Sequence, residues 1–513
     1  MFCKGVDGLL QIQNLTITHK KDQREIVKDF SLSLNTGDKA ALIGEEGNGK
    51  STLLKLIYDA RMVEGYAEYT GTVQKKGLKP GYLPQELSGE QKKRTVYEFC
   101  CQSPGFYDIS PGELARMAGQ MGFSPELYYS EQSVGSLSGG EKVKLQLACL
   151  LLENPDILLL DEPSNDIDIP TLKWLEHLIQ EIQIPVLYIS HDEVLLENTA
   201  NLIIHMEQLR RKTVSRVTVI RSGYRDYVQE RMKAFGRQEQ LARNERTEYA
   251  KQQERFRRIE QKVEHRQNTV SRQDPHGGYL LKKKMRAVKA QERRFEKEFE
   301  KMTEFPETED AVFIRFGEQV QMPNGKYERK ELTVKDRVLS RNIHLEVTGP
   351  RKVCIIGKNG AGKSTMLKEI ADELLIRKDL HACYMPQNYE DLLEPEQTPV
   401  EFLASVGDKE EQDRICTYLG SMKYTADEMR HPVRELSGGQ KAKLLLLKMS
   451  IQRCDVLLLD EPTRNFSPLS APVIRRILKN YCGAIISVSH DRKYIEEVCT
   501  DVYELDHTGL YKQ

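Results

Sequence analysis

The sequence predicts an α/β protein: two tandem α/β domains joined by a long antiparallel α-helical hairpin. Three observations predict it. Leu9 to Ile220 and Val312 to Tyr511 repeat one another motif by motif in the same order. In each repeat, short β-type apolar runs alternate with helical patterns. The stretch between them lacks such runs and carries apolar residues at seven-residue spacing. At 513 residues the chain exceeds one ordinary domain, and the expected boundaries are 1–222, 223–305 and 306–513.

Composition narrows the class. Charged residues make up 30% of the chain and mean hydropathy is −0.55. The most apolar stretches, such as "PDILLLDEP", fall far short of the roughly 18 residues that span a bilayer, so no membrane domain is expected. The start, "MFCKGVDGLLQIQNL", lacks the cationic region, apolar core and cleavage site of an export signal. Ten cysteines without a C-x-x-C pair read as reduced, packed thiols in a cytoplasmic protein.

The flanks carry the chemistry. "ALIGEEGNGKST" and "CIIGKNGAGKST" each place G-x-x-x-x-G-K-S after an apolar run and before a helical pattern, as a P-loop requires. Gly44, Glu45, Glu46, Gly47, Asn48, Gly49, Lys50, Ser51 and Thr52, with Gly357, Lys358, Asn359, Gly360, Ala361, Gly362, Lys363, Ser364 and Thr365, are therefore expected to bind a nucleotide triphosphate. Backbone N–H groups cradle the phosphates, Lys50 and Lys363 reach the β- and γ-phosphates, and Ser51 and Ser364 ligate Mg²⁺. "GYLPQ" and "CYMPQ" end in Gln85 and Gln387, and "ILLLDEP" and "VLLLDEP" bring Asp161 with Glu162 and Asp460 with Glu461 to the ends of buried strands. Gln85, Gln387, Asp161 and Asp460 are the further metal candidates. Glu162 and Glu461 are expected to orient the attacking water, and "YISHD" and "SVSHD" add His191 and His490 as catalytic candidates. Phosphoryl transfer asks a protein mainly for positioning and charge neutralisation, which suits these residue types.

The middle segment is different in charge. Arg231 to Glu300 holds 20 Lys+Arg and 11 Asp+Glu, a net +9, which leaves −10 for the rest. Val228, Phe235, Ala242, Tyr249, Phe256 and Val263 recur every seven residues, and Leu281, Met285, Val288, Phe295, Phe299 and Met302 follow a 4-3 spacing, so two helices pair antiparallel. The first would span roughly 50 Å at 1.5 Å per residue. A tip at 264–279 with "DPHGG" as its turn is expected between them. His276 to Gln291 contains no acidic residue, which lowers the electrostatic cost of lying against RNA phosphates. Arg266, Asn268, Arg272, Gln273, His276, Tyr279, Lys282, Lys283, Lys284 and Arg286 are the candidate RNA contacts. By composition alone, the same run also reads as a solvated helix face.

P-loop, glutamine, "LSGG", D-E and histidine in this order resemble the ATP-binding cassette superfamily. The resemblance implies a pair of P-loop NTPase cassettes facing head to tail, each "LSGG" completing the other's site. Ser437, Gly438 and Gly439 would then share a nucleotide with Lys50, and Ser138, Gly139 and Gly140 one with Lys363. Two such domains around a charged helical linker resemble the ABC-F branch, which implies an ATPase with ATP and Mg²⁺ as cofactors, acting on the 70S ribosome. Gln85 to Ser138 spans 53 residues and Gln387 to Ser437 spans 50, so the first cassette lacks the extra arm of housekeeping ABC-F factors. The chain stops 23 residues after His490, leaving no room for a C-terminal coiled coil. With "EPSNDID" and "EPTRNFSPLS", this layout resembles the antibiotic-resistance Lsa/Vga group. That implies a monomer entering the E site, where the linker contacts 23S rRNA and displaces P-site tRNA so that peptidyl-transferase-centre drugs leave. A housekeeping translation factor and an exporter's ATPase are the alternatives.

Two departures stand out. Where an aromatic commonly stacks on adenine, the first half offers His19 and the second, "LTVKDRVL", offers none. Asp168 in the first half is matched by Ser467 in the second, so equal hydrolysis at the two sites does not follow from the shared motifs. Trp174, at helical spacing, reads as core.

Overall fold

Each flank builds a six-stranded sheet with the same strand order. The strands are β1 (Leu10–His19), β2 (Glu25–Leu34), β3 (Lys39–Ile43), β4 (Ala67–Gln74), β5 (Pro80–Leu83), β6 (Ile157–Asp161), β7 (Val186–Ile189), β8 (Leu202–Leu209) and β9 (Val214–Ile220) in the first flank. The second contains β10 (Asn324–Val334), β11 (Arg337–Thr348), β12 (Lys352–Ile356), β13 (Ala382–Met385), β14 (Val456–Asp460), β15 (Ala484–Val488), β16 (Asp501–Leu505) and β17 (Leu510–Lys512). The large sheets run β5-β6-β7-β3-β8-β9 and β13-β14-β15-β12-β16-β17, parallel except for the last strand of each. Strands β6 and β14 are buried at every position, which explains why "ILLLD" and "VLLLD" are apolar without alternation. An antiparallel layer, β2-β1-β4 in one flank and β10-β11 in the other, completes each half.

This computed structural model describes residues 10–75, 77–209, 213–269, 279–280, 283–287, 290, 293–294, 302–305, 314, 316, 324–334, 337–405 and 407–513. The helices used below are α1 (Lys50–Tyr58), α2 (Gly139–Leu152), α3 (Ile169–Glu181), α4 (Glu193–Thr199), α5 (Tyr224–Thr269), α6 (Lys363–Leu375), α7 (Gly438–Gln452), α8 (Ala471–Lys479) and α9 (Arg492–Val498). Two compact units result. One comprises Met1–Tyr224 with Glu309–Gln513 and holds both cassettes; the other is Arg225–Thr308.

Within the second unit, the seven-residue stripe of α5 is its less exposed face. Ala242 is fully buried, while Val228, Phe235, Tyr249 and Phe256 are half-buried. The returning segment lies against it: Thr303 N donates to Glu245 at 2.7 Å, and Phe305 stacks under the Arg246 guanidinium at 4.0 Å. The first helix runs further than expected. Helix α5 runs to Thr269 and so includes Arg266 and Asn268, which corrects the tip boundary of 264. Glu264 to Thr269 contains neither glycine nor proline, so nothing local ends the helix there. At the other end, Tyr279 and Leu280 are already helical.

Two smaller expectations are also corrected. Cys383 and Cys454 form a disulfide with a Cα–Cα separation of 5.9 Å, because β13 and β14 are neighbours and bring their N-terminal ends together. Trp174 is half-buried at the edge of the core rather than within it, its indole N–H donating to Gln120 O at 2.9 Å.

Candidate functional site

Each P-loop is the turn between a buried strand and a helix, β3 to α1 and β12 to α6. Gly49 and Gly362 cap the helices in the left-handed region, at φ 84° and 98°. A Cβ on Gly49 would lie 2.0 Å from Ile26 Cγ2, so glycine is required there for space as well as for conformation. The first N–H groups of α1 and α6 have no intrahelical acceptors, which makes each loop an anion cradle. Lys50 Nζ folds over its own loop, donating to the carbonyls of Gly44 and Glu45 at 2.8 and 2.9 Å. Lys363 repeats this with Gly357 and Lys358 at the same distances.

The cation chemistry fits as well. Ser51 Oγ donates to Asp161 Oδ1 at 2.9 Å, and Tyr82 OH to Asp161 Oδ2 at 3.2 Å. In the second site Asp460 Oδ1 is buried with no hydrogen-bond partner among the described residues. Hard oxygen ligands beside a phosphate cradle suit Mg²⁺, and Ser51 with Asp161 and Ser364 with Asp460 are the groups that would hold it. When bound, that ion neutralises charge on the transferring phosphoryl group.

The D-E glutamates sit in the left-handed region, Glu162 at φ 52° and Glu461 at φ 51°. That backbone is costly for a residue with a Cβ and turns the chain sharply after the buried aspartate. Their surroundings differ. Glu162 accepts from Gln85 Nε2 at 3.0 Å and from Asn165, and lies 3.4 Å from His191 Nε2. Burial raises its pKa, but the hydrogen bond and charge of His191 and the charge of Lys50 outweigh this and hold the carboxyl down at about 2. Glu461 has His490 Nε2 only at 3.9 Å and accepts from the His490 backbone N–H at 3.3 Å. Burial, then the Asp460 charge, pushes it up to about 8. Burial, then the Lys363 charge, lowers His490 to about 4.

The "LSGG" serines are helix caps. Ser138 and Ser437 each accept a first-turn N–H of α2 and α7 in a capping box. Both sites are completed across the halves. A cavity of about 850 Å³ joins Lys363, Ser364, Gln387, Glu461 and His490 to Ser138 and Gly139. At the other site, Glu46 accepts the Gly439 N–H and Glu45 Oε1 lies 3.4 Å from Lys443 Nζ.

Other candidates are placed differently from expectation. Gln387 Nε2 donates across to Asp166 Oδ1 at 3.3 Å rather than to a group of its own site. His19 lies at the end of β1 with its ring bonded to Asp22 at 2.8 Å, while Ile26 takes the place against Gly49. In the second half Leu332 and Leu339 pack on Gly362. Asp168 caps α3, and Ser467 bonds within its own turn to Ser470. Tyr279, Lys283, Lys284 and Arg286 are exposed. Arg272, Gln273, His276 and Lys282 lie outside the described residues. Sequence reasoning missed Asp166, which besides Gln387 pairs with Arg464 at 2.8 Å and accepts from Asn359 through its carbonyl. All three partners belong to the second half, so no local pattern marks it.

The "ABC transporter" family profile matches residues 27–165 and again 340–464, each match running from the P-loop through the "LSGG" and D-E motifs. The chain belongs to the ABC transporter family. Its relatives are ATP-binding proteins of the ABC-F type, and the two ABC domains make it an ATPase that uses ATP and Mg²⁺. It is 28% identical to the ribosome protection protein VmlR of Bacillus subtilis (strain 168), over 98% of this chain and 88% of that one. It is 25% identical to ABC transporter F family member 5 of Arabidopsis thaliana, over 98% of this chain and 75% of that one. Among solved structures, an archaeal ribosome recycling factor, aABCE1, in complex with the stalk protein aP1, superposes with a TM-score of 0.58 at 19% identity. It covers 97% of this chain and 89% of that one, and so shares the fold. No helix among the described residues of this ABC protein is long and apolar enough to cross a membrane.

Proposed function

We propose that this ABC ATPase acts in the cytoplasm on the 70S ribosome, entering the E site as a monomer whose two cassettes close on ATP. Its linker contacts 23S rRNA and displaces P-site tRNA, so that lincosamide, pleuromutilin and streptogramin A drugs leave the peptidyl transferase centre. The observation that carries the reading is the helical hairpin between the cassettes, whose acid-free stretch presents Tyr279, Lys283, Lys284 and Arg286 to solvent. The similarity to a ribosome protection protein over nearly the whole chain supports it. The catalytic roles of Glu162, Glu461, His191 and His490 belong to the same proposal.

The test expresses the intact chain and a form with Asn268–Gly278 replaced by a tight turn in a drug-sensitive host. Resistance to the three drug classes is expected from the intact chain only, with ATP hydrolysis kept in both. Equal susceptibility with and without the intact chain would favour a general translation factor instead. Replacing Lys282, Lys283, Lys284 and Arg286 with Gln should flatten the salt dependence of ribosome pelleting, by about one unit of logarithmic slope per lost phosphate contact.

A further inference from the structure

The two halves meet at a second place, beside the catalytic histidines, and there the contact repeats itself about the pseudo-twofold. Glu176 and Arg475 are equivalent positions, eight residues past Asp168 and past Ser467. Glu193 and Arg492 are also equivalent, two residues past His191 and past His490. In the structure Arg475 of α8 bonds Glu193 of α4 through both carboxylate oxygens, at 2.6 and 3.3 Å. Arg492 of α9 bonds Glu176 of α3. One contact is therefore made twice, and both times the acid comes from the first cassette and the base from the second. Three of the four groups are out of water, Arg475 at 2% exposed and both glutamates at 8%, while Arg492 is half-buried and also bonds Asp192 at 2.8 Å. Lys493 reinforces the pattern, 3.2 Å from Glu193.

Symmetric pairing makes position i of one domain meet position j of the other, and j meet i. If two first cassettes from different chains paired this way, Glu176 would meet Glu193 twice. If two second cassettes paired, Arg475 would meet Arg492 twice. Either arrangement sets like charges against one another in place of two ion pairs. The observed arrangement alone neutralises every one of them. We propose that this acid-on-base pattern is a pairing code, which permits closure of a first cassette on a second cassette and forbids closure of like on like. The motifs that the two cassettes share carry no such instruction, and beside them Asp166 and Arg464 again pair an acid of the first cassette with a base of the second.

The test uses full-length chains with a non-hydrolysable ATP analogue and Mg²⁺. One variant carries Glu176→Arg and Glu193→Arg, making both cassettes basic here. The other carries Arg475→Glu and Arg492→Glu with Glu497→Gln, which removes the acid that Arg475 holds within its own cassette. Closure is read as the distance between spin labels on the two cassettes, and assembly as mass by light scattering. Each variant alone should lose its closed fraction by about tenfold or more, like charges now facing one another. Mixed, the two should assemble into dimers of twice the 59.0 kDa chain mass, each basic cassette closing on an acidic one. A mixture that stays monomeric while the wild-type chain closes overturns the code, as does a basic variant that closes like wild type. A third chain with Met at all four positions, together with Asp192→Asn and Glu497→Gln, guards against misfolding, because it also removes the carboxylates that Arg492 and Arg475 otherwise hold. It should close and also associate chain to chain; closure without association overturns the proposal as well.

Discussion

The two ATP sites are made of the same motifs at the same spacings, yet their electrostatics diverge. In the site on the first P-loop, Glu162 is tied down by His191, Gln85 and Asn165, and its carboxyl is held ionised. In the site on the second, Arg464 replaces Asn165 and turns away to Asp166, Gln387 also points across to Asp166, and Glu461 is left with burial as its main influence. A second difference lies in the loops. Where the second P-loop offers Asn359 to the opposite cassette, the first offers Glu46, whose carboxylate takes the N–H of Gly439. Identical motif residues thus do not make identical sites. The same motif residues stand at different distances, His191 Nε2 3.4 Å from Glu162 and His490 Nε2 3.9 Å from Glu461, and the positions just after each D-E pair, Asn165 and Arg464, are free to differ.

The largest effect expected concerns the glutamates together. Glu162→Gln with Glu461→Gln should keep nucleotide binding and lower phosphate release by about 10²- to 10⁴-fold, the usual range for a lost general base. Singly, Glu162→Gln should remove the greater share at pH 7, since Glu461 is then mostly protonated and cannot accept a proton from water. Equal losses would break the comparison.

The pH dependence sharpens it. With Glu162→Gln in place, hydrolysis rests on Glu461, whose active form is the ionised one. A carboxyl near 8 gains that form as pH rises, so the residual rate should climb about tenfold from pH 7 to pH 9. With Glu461→Gln instead, the rate rests on a carboxyl near 2 and should be flat over the same window. Matching profiles in the two variants would show that the sites do not differ in this way.

The smallest effect concerns the loops. Glu46→Asn copies the second P-loop into the first and removes a carboxylate from the place where a terminal phosphate would meet Gly439. Glu46 is exposed, so the gain in affinity for a non-hydrolysable triphosphate should be modest, about three- to fivefold, measured by calorimetry. A weaker or unchanged affinity would mean that Glu46 and the phosphate do not compete.

Much of this chain was legible before any coordinates. The doubled G-x-x-x-x-G-K-S, the apolar runs before Asp161 and Asp460 and the stripe from Val228 to Phe256 each express a local physical demand. These are a left-handed cap, a strand buried on both faces, and a helix with one covered side. Demands of that kind repeat along the sequence at fixed spacing and can be read from it. The end of α5 is not marked in the sequence, because a polar run without glycine or proline does not by itself stop a helix.

What the sequence determined by itself was therefore the α/β class, the two phosphate cradles, the carboxylates at the strand ends and the basic helical insert. Only the tertiary structure decided that Asp166 gathers three groups from the other half, that burial of Glu461 outweighs the charges of Lys363 and Arg464, and that Glu176 and Glu193 face Arg492 and Arg475. The physical reason is that a pKa or a buried ion pair depends on which charges lie within a few ångströms. For the ion pairs those neighbours lie hundreds of residues apart and meet only when one cassette closes on the other, while the groups around Glu461 come from separate segments of its own cassette.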